Sequence, residues 1–157
     1  MRVIMARRAR RAATAVLYIV MSVGVAACGS ESGTDVDPAV APFVGTWDAT
    51  VLTLSNGVVT ADILGSGGSF FITVEPSGLY TATLEAFGSP AVEIGQLSVS
   101  GSTLTLTPTQ PPGQPAATSD YEFQSDDYLV LDGTAEFDIN SDGTPETVDA
   151  HFELQRR

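Results

Sequence analysis

Oxygen donors form the most regular chemical pattern in this chain. Asp138, Asn140, Asp142, Glu146 and Asp149 lie in one stretch, residues 138–149, with Gly143 at its sixth position. Counted along that stretch, acids or amides fall at positions 1, 3, 5, 9 and 12. Calcium takes about six to eight hard oxygens, and a tight turn bent at a glycine can bring them to one point. On this count Asp138, Asn140 and Asp142 offer side chains, Thr144 its carbonyl and Glu146 the next carboxylate. Asp149 is the least direct candidate, because a strand would point its side chain away. An acidic Asp-Gly turn that binds nothing has the same composition, and on sequence both readings stand.

His151 is the only histidine and Cys28 the only cysteine. Between Ala150 and Phe152, His151 falls by alternation on an outer strand face with Asp149 and Glu153. A general base for a hydroxyl nucleophile must sit in a cleft, held by a third group. A zinc centre needs three or four ligands, in catalytic sites mostly histidines. Carboxylates are plentiful, yet no pair is singled out for acid–base work. The chain therefore reads as non-catalytic, with no required cofactor and with Ca2+ as the one candidate ion. A carboxylate-based hydrolase ranks last.

Cys28 closes the string Val25-Ala26-Ala27-Cys28. An apolar run, residues 12–27, precedes it, and before that a basic head with Arg2, Arg7, Arg8, Arg10 and Arg11. A charged head, a short apolar segment and small residues at the cut form a secretory signal peptide. The apolar run falls short of the roughly 20 residues needed to span a bilayer. The cut site resembles the lipobox of bacterial lipoproteins. That resemblance implies that Cys28 becomes the lipidated first residue, with a diacylglyceryl group on its thiol and a further acyl chain, of the palmitate kind, on its amine. One chain alone anchors weakly and reversibly, so more than one is needed. Gly29 and Ser30 follow, and without Asp at the second position the resemblance implies the outer membrane of the cell envelope, facing periplasm or cell surface, where the host has one. Membrane lipid is then the first expected partner. A thiol used by lipid leaves no disulfide, so the folded part must rest on its core.

The net charge of −12 hides a division. Five of the seven basic residues precede Cys28; the others are Arg156 and Arg157, and there is no lysine. All 19 acids follow Cys28. Phosphate backbones and anionic lipid surfaces both need clustered cations, so nucleic acid is excluded as a partner. Residues 29–42 are polar, acidic and without apolar period, which predicts a flexible tether averaging about 20 Å end to end. Three segments result: signal peptide 1–27, lipidated cysteine and tether 28–42, and a folded domain 43–157.

From Phe43 onward the apolar period is two, and Thr, Val, Phe and Tyr are abundant. A strand over 45–54 meets Asn56-Gly57, a strong hairpin signal, and 58–64 returns. Phe70, Ile72 and Val74 share one strand face; Tyr80, Ala82, Leu84 and Ala86 share the next. Leu97 and Val99 lead through a Ser-Gly-Ser turn to Leu104 and Leu106. Residues 108–119, rich in proline, predict a long connection. Tyr121 and Phe123 follow, then a strand over 128–138 with Gly133 as an expected bulge. A last strand over 147–155 turns Val148, Ala150, Phe152 and Leu154 inward. About nine short antiparallel strands predict an all-β fold, a small up-and-down barrel, with a β-sandwich as the alternative.

The folded part opens Gly45-Thr46-Trp47. This resembles the Gly-x-Trp opening of lipocalins and bacterial lipocalin-like domains. The resemblance implies that Trp47 closes one end of a barrel beside an arginine from the end of the last strand, here Arg156. It also implies a small apolar ligand among interior residues, for which Trp47, Phe70, Ile72, Tyr80, Leu84 and Phe152 are the candidates. No helix follows the last strand, unlike in lipocalins, so an interior filled by its own side chains stays open. The 138–149 spacing resembles EF-hand and dockerin loops and those of extracellular β repeats, departing from them at Pro145 and Asp149. The leading expectation is a membrane-tethered envelope protein with a non-catalytic, lipocalin-like binding domain. The alternative is a calcium-stabilised structural or adhesion module.

Overall fold

Alternation of apolar with Thr, Ser and acidic residues favours half-buried strands, and nearly all of 45–156 follows it. The computed structural model describes residues 36–157. The expected signal peptide, Cys28 and the tether as far as residue 35 lie outside the described residues. A short 3-10 helix, Ala41–Phe43, leads into nine strands: β1 Gly45–Ser55, β2 Thr60–Asp62, β3 Ser69–Val74, β4 Leu79–Ala86, β5 Ser89–Ser100, β6 Thr103–Gln110, β7 Ala117–Ser125, β8 Tyr128–Phe137 and β9 Glu146–Arg156.

The strands form one antiparallel ladder that closes on itself through β1 and β9. β1 pairs with β9 from Trp47 to Ser55, while Gly45 to Asp48 pair with β3 and Thr53 to Ser55 with β2. The architecture is thus a closed barrel of eight antiparallel strands with β2 as a short additional strap. The sandwich alternative falls, because one continuous sheet curls round to meet its own first strand. Closure removes the unpaired edges that an open sheet exposes.

Two apolar clusters line the interior. Trp47, Ile72, Val74, Tyr80, Leu97, Leu104, Leu129 and Leu154 anchor one, near the end where β1 begins and β9 finishes. Leu52, Leu54, Ile63, Ile139, Val148 and Ala150 anchor the other, towards the opposite end. Most outward positions are polar: Thr81 and Thr83 on β4, Thr103, Thr105 and Thr107 on β6, Asp149, His151 and Glu153 on β9, with Val92 and Ile94 on β5 as apolar exceptions. A membrane-spanning barrel has the reverse polarity. Both clusters and the whole ladder lie within Gly33–Arg157, one compact unit, so this segment carries the core it needs to fold by itself.

Several sequence expectations are corrected. The tether ends earlier than residue 42. Val40 is buried against Phe43 and donates its amide to Asp37, so 37–44 docks onto the barrel. The return over 58–64 shrinks to β2, because β3 takes the N-terminal half of the same edge of β1. The connection 108–119 shortens to 111–116, since β6 runs on to Gln110 and β7 starts at Ala117. Pro108 is tolerated in β6 because β7 pairs only with Thr103 to Leu106, leaving β6 an edge beyond that point. Gly133 makes no bulge: it pairs in register with Ser119 and Ala150. A Cβ there would come within 2.3 Å of the Thr118 carbonyl, so close packing is what requires glycine. The register shifts lie at Ala49/Val51, Ile94/Gly95 and Phe123/Ser125.

Candidate ligand cavity

Aromatic bulk closes one end of the barrel. Trp47 is 1% exposed and donates its indole N–H to the Phe43 carbonyl at 2.8 Å. Phe43, Tyr121 and Phe123 pack edge to face and tilted around it. Arg156 lies across the outside of this plug with its guanidinium carbon 4.1 Å from the Trp47 ring centroid. Its guanidinium donates to the carbonyls of Val44 at 2.5 Å, Pro42 at 2.8 Å and Asp126 at 3.2 Å. One cation thereby ties the N-terminal segment, β9 and the β7–β8 turn together. The Trp–Arg pairing expected from the Gly-x-Trp resemblance is present in the geometry.

Above that floor the barrel is not filled. A cavity of about 350 Å³ runs along its interior. Of the six interior candidates, Trp47, Phe70, Ile72, Leu84 and Phe152 line it. Tyr80 is fully buried in the surrounding core with its hydroxyl turned towards the lumen side of β5. The cavity reaches the surface beside exposed Val92, Pro111, Gln114 and Glu136. The opening follows from the short β6–β7 pairing. Residues 107–110 of β6 and 135–137 of β8 have no β7 partner, and 111–116 spans the space between them.

One lumen residue was not anticipated. β5 pairs Ala91 with Leu84, Glu93 with Ala82 and Gly95 with Tyr80, which turns all three β5 residues inward. Glu93 therefore lines an otherwise apolar cavity. Tyr80 donates its hydroxyl to Glu93 Oε1 at 2.5 Å. Burial first, then the hydrogen bond and charge of Glu93, hold the Tyr80 phenol well above its ordinary pKa, so it stays a donor. Gly95 makes the contact possible, because a Cβ there would lie 2.7 Å from the Tyr80 hydroxyl. Counting back by twos from Leu97 would have found Glu93 in the sequence.

His151 lies on the outer face, as its alternation predicts. Its Nδ1 is 2.6 Å from Asp132 Oδ1 and its Nε2 3.5 Å from Glu153 Oε1. Tyr128 donates its hydroxyl to the other Glu153 oxygen. The hydrogen bond to Asp132 is the largest cause that raises the His151 pKa, against a smaller opposing effect of burial. Both ring nitrogens face carboxylates, which favours the protonated ring.

The 138–149 loop brings Asp138, Asn140 and Asp142 together, but towards backbone amides. Asp138 accepts from the amides of Asp142 and Gly143 at 3.0 and 2.8 Å, Asn140 from Asp142 at 2.9 Å, and Asp142 from Thr144 at 2.8 Å. Glu146 turns instead to Asn56, which donates at 3.2 Å, and Asp149 stands exposed on the outer face of β9 opposite Ser55. Ile139 is buried and pins the loop to the second cluster. Among the described residues no group of three or more His, Cys, Asp and Glu side chains is placed to hold a metal ion.

No protein-family model matches the chain, and no curated protein resembles it significantly.

Proposed function

We propose that this chain is a lipid-anchored protein of the cell envelope whose barrel is a non-catalytic carrier of a small apolar molecule. The observation that carries the reading is the cavity of about 350 Å³ with walls of Leu, Ile, Val and Phe. Ligand pockets commonly occupy roughly 300–1,000 Å³, with apolar walls and few polar groups. The anchoring half of the reading rests on the lipobox resemblance at Val25 to Cys28. Cys28→Ala is expected to lose incorporation of labelled palmitate and to leave the membrane fraction; retention of both would remove the anchor from this reading.

The carrier half is tested on Gly33–Arg157 with the neutral dye N-phenyl-1-naphthylamine, whose emission rises in apolar surroundings. Saturable binding at one site is expected. Ala82→Phe places a ring in the lumen and is expected to abolish it at a cost of about 1–3 kcal/mol in stability. Emission that rises without saturating, or that Ala82→Phe leaves intact, would place the dye elsewhere and refute the carrier reading.

A further inference from the structure

The polar groups of the lumen constrain what the cavity can hold. Glu93 projects inward between Ala91 and Gly95, and its Oε1 receives the Tyr80 hydroxyl. Among the described residues no other side-chain or backbone donor reaches it, and no ion pair includes it. The described cations are engaged elsewhere: Arg156 and Arg157 at the closed end, on backbone carbonyls and on Asp48, and His151 on the outer face. A carboxylate that borders apolar walls without a cation is costly and does not repay its place through stability. It does suit a binding partner that brings the missing charge.

The surroundings of the opening have the same sign. Glu136 lines the cavity beside the gap between β6 and β8. The loop from Asp138 to Glu146 adjoins it, with Asp142 between them. No lysine exists in the chain, and both arginines beyond residue 28 are at the opposite end of the barrel. Such a one-signed rim attracts cations and repels anions before any contact forms.

We infer that the cavity selects apolar molecules bearing a protonated amine, with Glu93 as the residue that receives the ammonium group and the aliphatic walls holding the apolar body. This deepens the carrier reading and rests on it. Tyr80 acts as a positioning residue: by occupying Oε1 it fixes the carboxylate and leaves Oε2 for the ligand. Fatty acids, with the opposite head charge, are disfavoured both at the rim and at Glu93.

The test uses Gly33–Arg157 loaded with N-phenyl-1-naphthylamine and displaced at neutral pH by decylamine, decanol or decanoate, which share one chain length. Decylamine is expected to bind about tenfold or more tighter than decanol, the usual scale for a hydrogen bond to a charged group. Decanoate is expected to be weakest. Glu93→Gln, shown to be folded by its melting curve, is expected to bring the amine-to-alcohol ratio close to one, and Glu93→Asp to retain part of it. If the dye finds no site, the carrier reading fails and this inference with it. If the dye binds but amine and alcohol compete equally, or the amine preference survives Glu93→Gln, this inference alone is overturned.

Discussion

Asp138 commits both carboxylate oxygens to backbone amides of its own loop, Asn140 accepts the Asp142 amide, and Asp142 accepts the Thr144 amide and the Asn140 side-chain amide. These bonds fix the bend of the loop at Gly143. Asp138→Ala is expected to cost about 1–2 kcal/mol, through two amides left unpaired, equally in calcium and in chelator. The melting midpoint of the unaltered domain is expected to be the same in both; a rise of several degrees in calcium that Asp142→Ala removes would instead assign the loop an ion. His151 gives a prediction with a sign. Its pKa is raised, chiefly by Asp132, with Glu153 adding to it and Asp149 the next acid on the same strand face. The folded state thus holds the proton more tightly than the unfolded chain, whose histidine titrates near 6.5. The stabilisation is complete below about 6.5 and fades as pH rises through the folded midpoint. NMR titration of this sole histidine is expected to give a midpoint above 6.5; one at or below it would show that the acids do not hold the proton. The outward placement of His151 was legible because β9 alternates without interruption. Glu93 was missed because an acid in a strand is ordinarily assigned to the wet face.

β5 and β6 show how much of the barrel the pattern conveys. Runs with clean alternation, such as Phe70 to Val74, Tyr80 to Ala86 and Val148 to Leu154, occupy the faces expected of them. Around 89–96 and 108–119 the alternation is obscured by Pro, Gly, Gln and Ala, and there the boundaries moved. Pairing with β4 extends β5 back to Ser89 across the two-residue turn Phe87-Gly88, a tight hairpin whose second strand begins without clear alternation. For β2 the cause is more distant, because β3 takes the other half of the β1 edge on which β2 pairs. Gly95 carries the prediction at this scale. Gly95→Ala would press on the Thr107 carbonyl at 2.3 Å as well as on Tyr80. It is expected to destabilise the domain by about 1–3 kcal/mol, read as a lower midpoint in urea. An unchanged midpoint would mean that β6 can yield at Thr107.

For the molecule as a whole, the closed ladder and the acidic surface act together. A barrel without a disulfide is held by its core and by the clamp at its sealed end, where Arg156 joins three chain segments. Arg156→Ala is expected to lower stability by about 2 kcal/mol, through the lost stacking on Trp47 and the carbonyls left without donors. Arg156→Lys is expected to recover little, since one ammonium cannot span those acceptors. Thermal melts of the two variants measure this directly. Alternation favoured an antiparallel barrel of about nine strands and left a sandwich open, and the Trp47–Arg156 pairing was implied by the Gly-x-Trp resemblance; closure through β1 and β9 decides between the two folds. The cavity was not foreseeable, because its volume depends on how the Phe, Leu and Ala side chains meet across the interior. The placement of Trp47 has an optical consequence. As the only tryptophan of the chain, it sits 1% exposed in the cavity floor with a cation on its outer side. Excited near 295 nm it is the single emitter, so one wavelength reports on the lumen above it, the clamp behind it and the integrity of the fold around it.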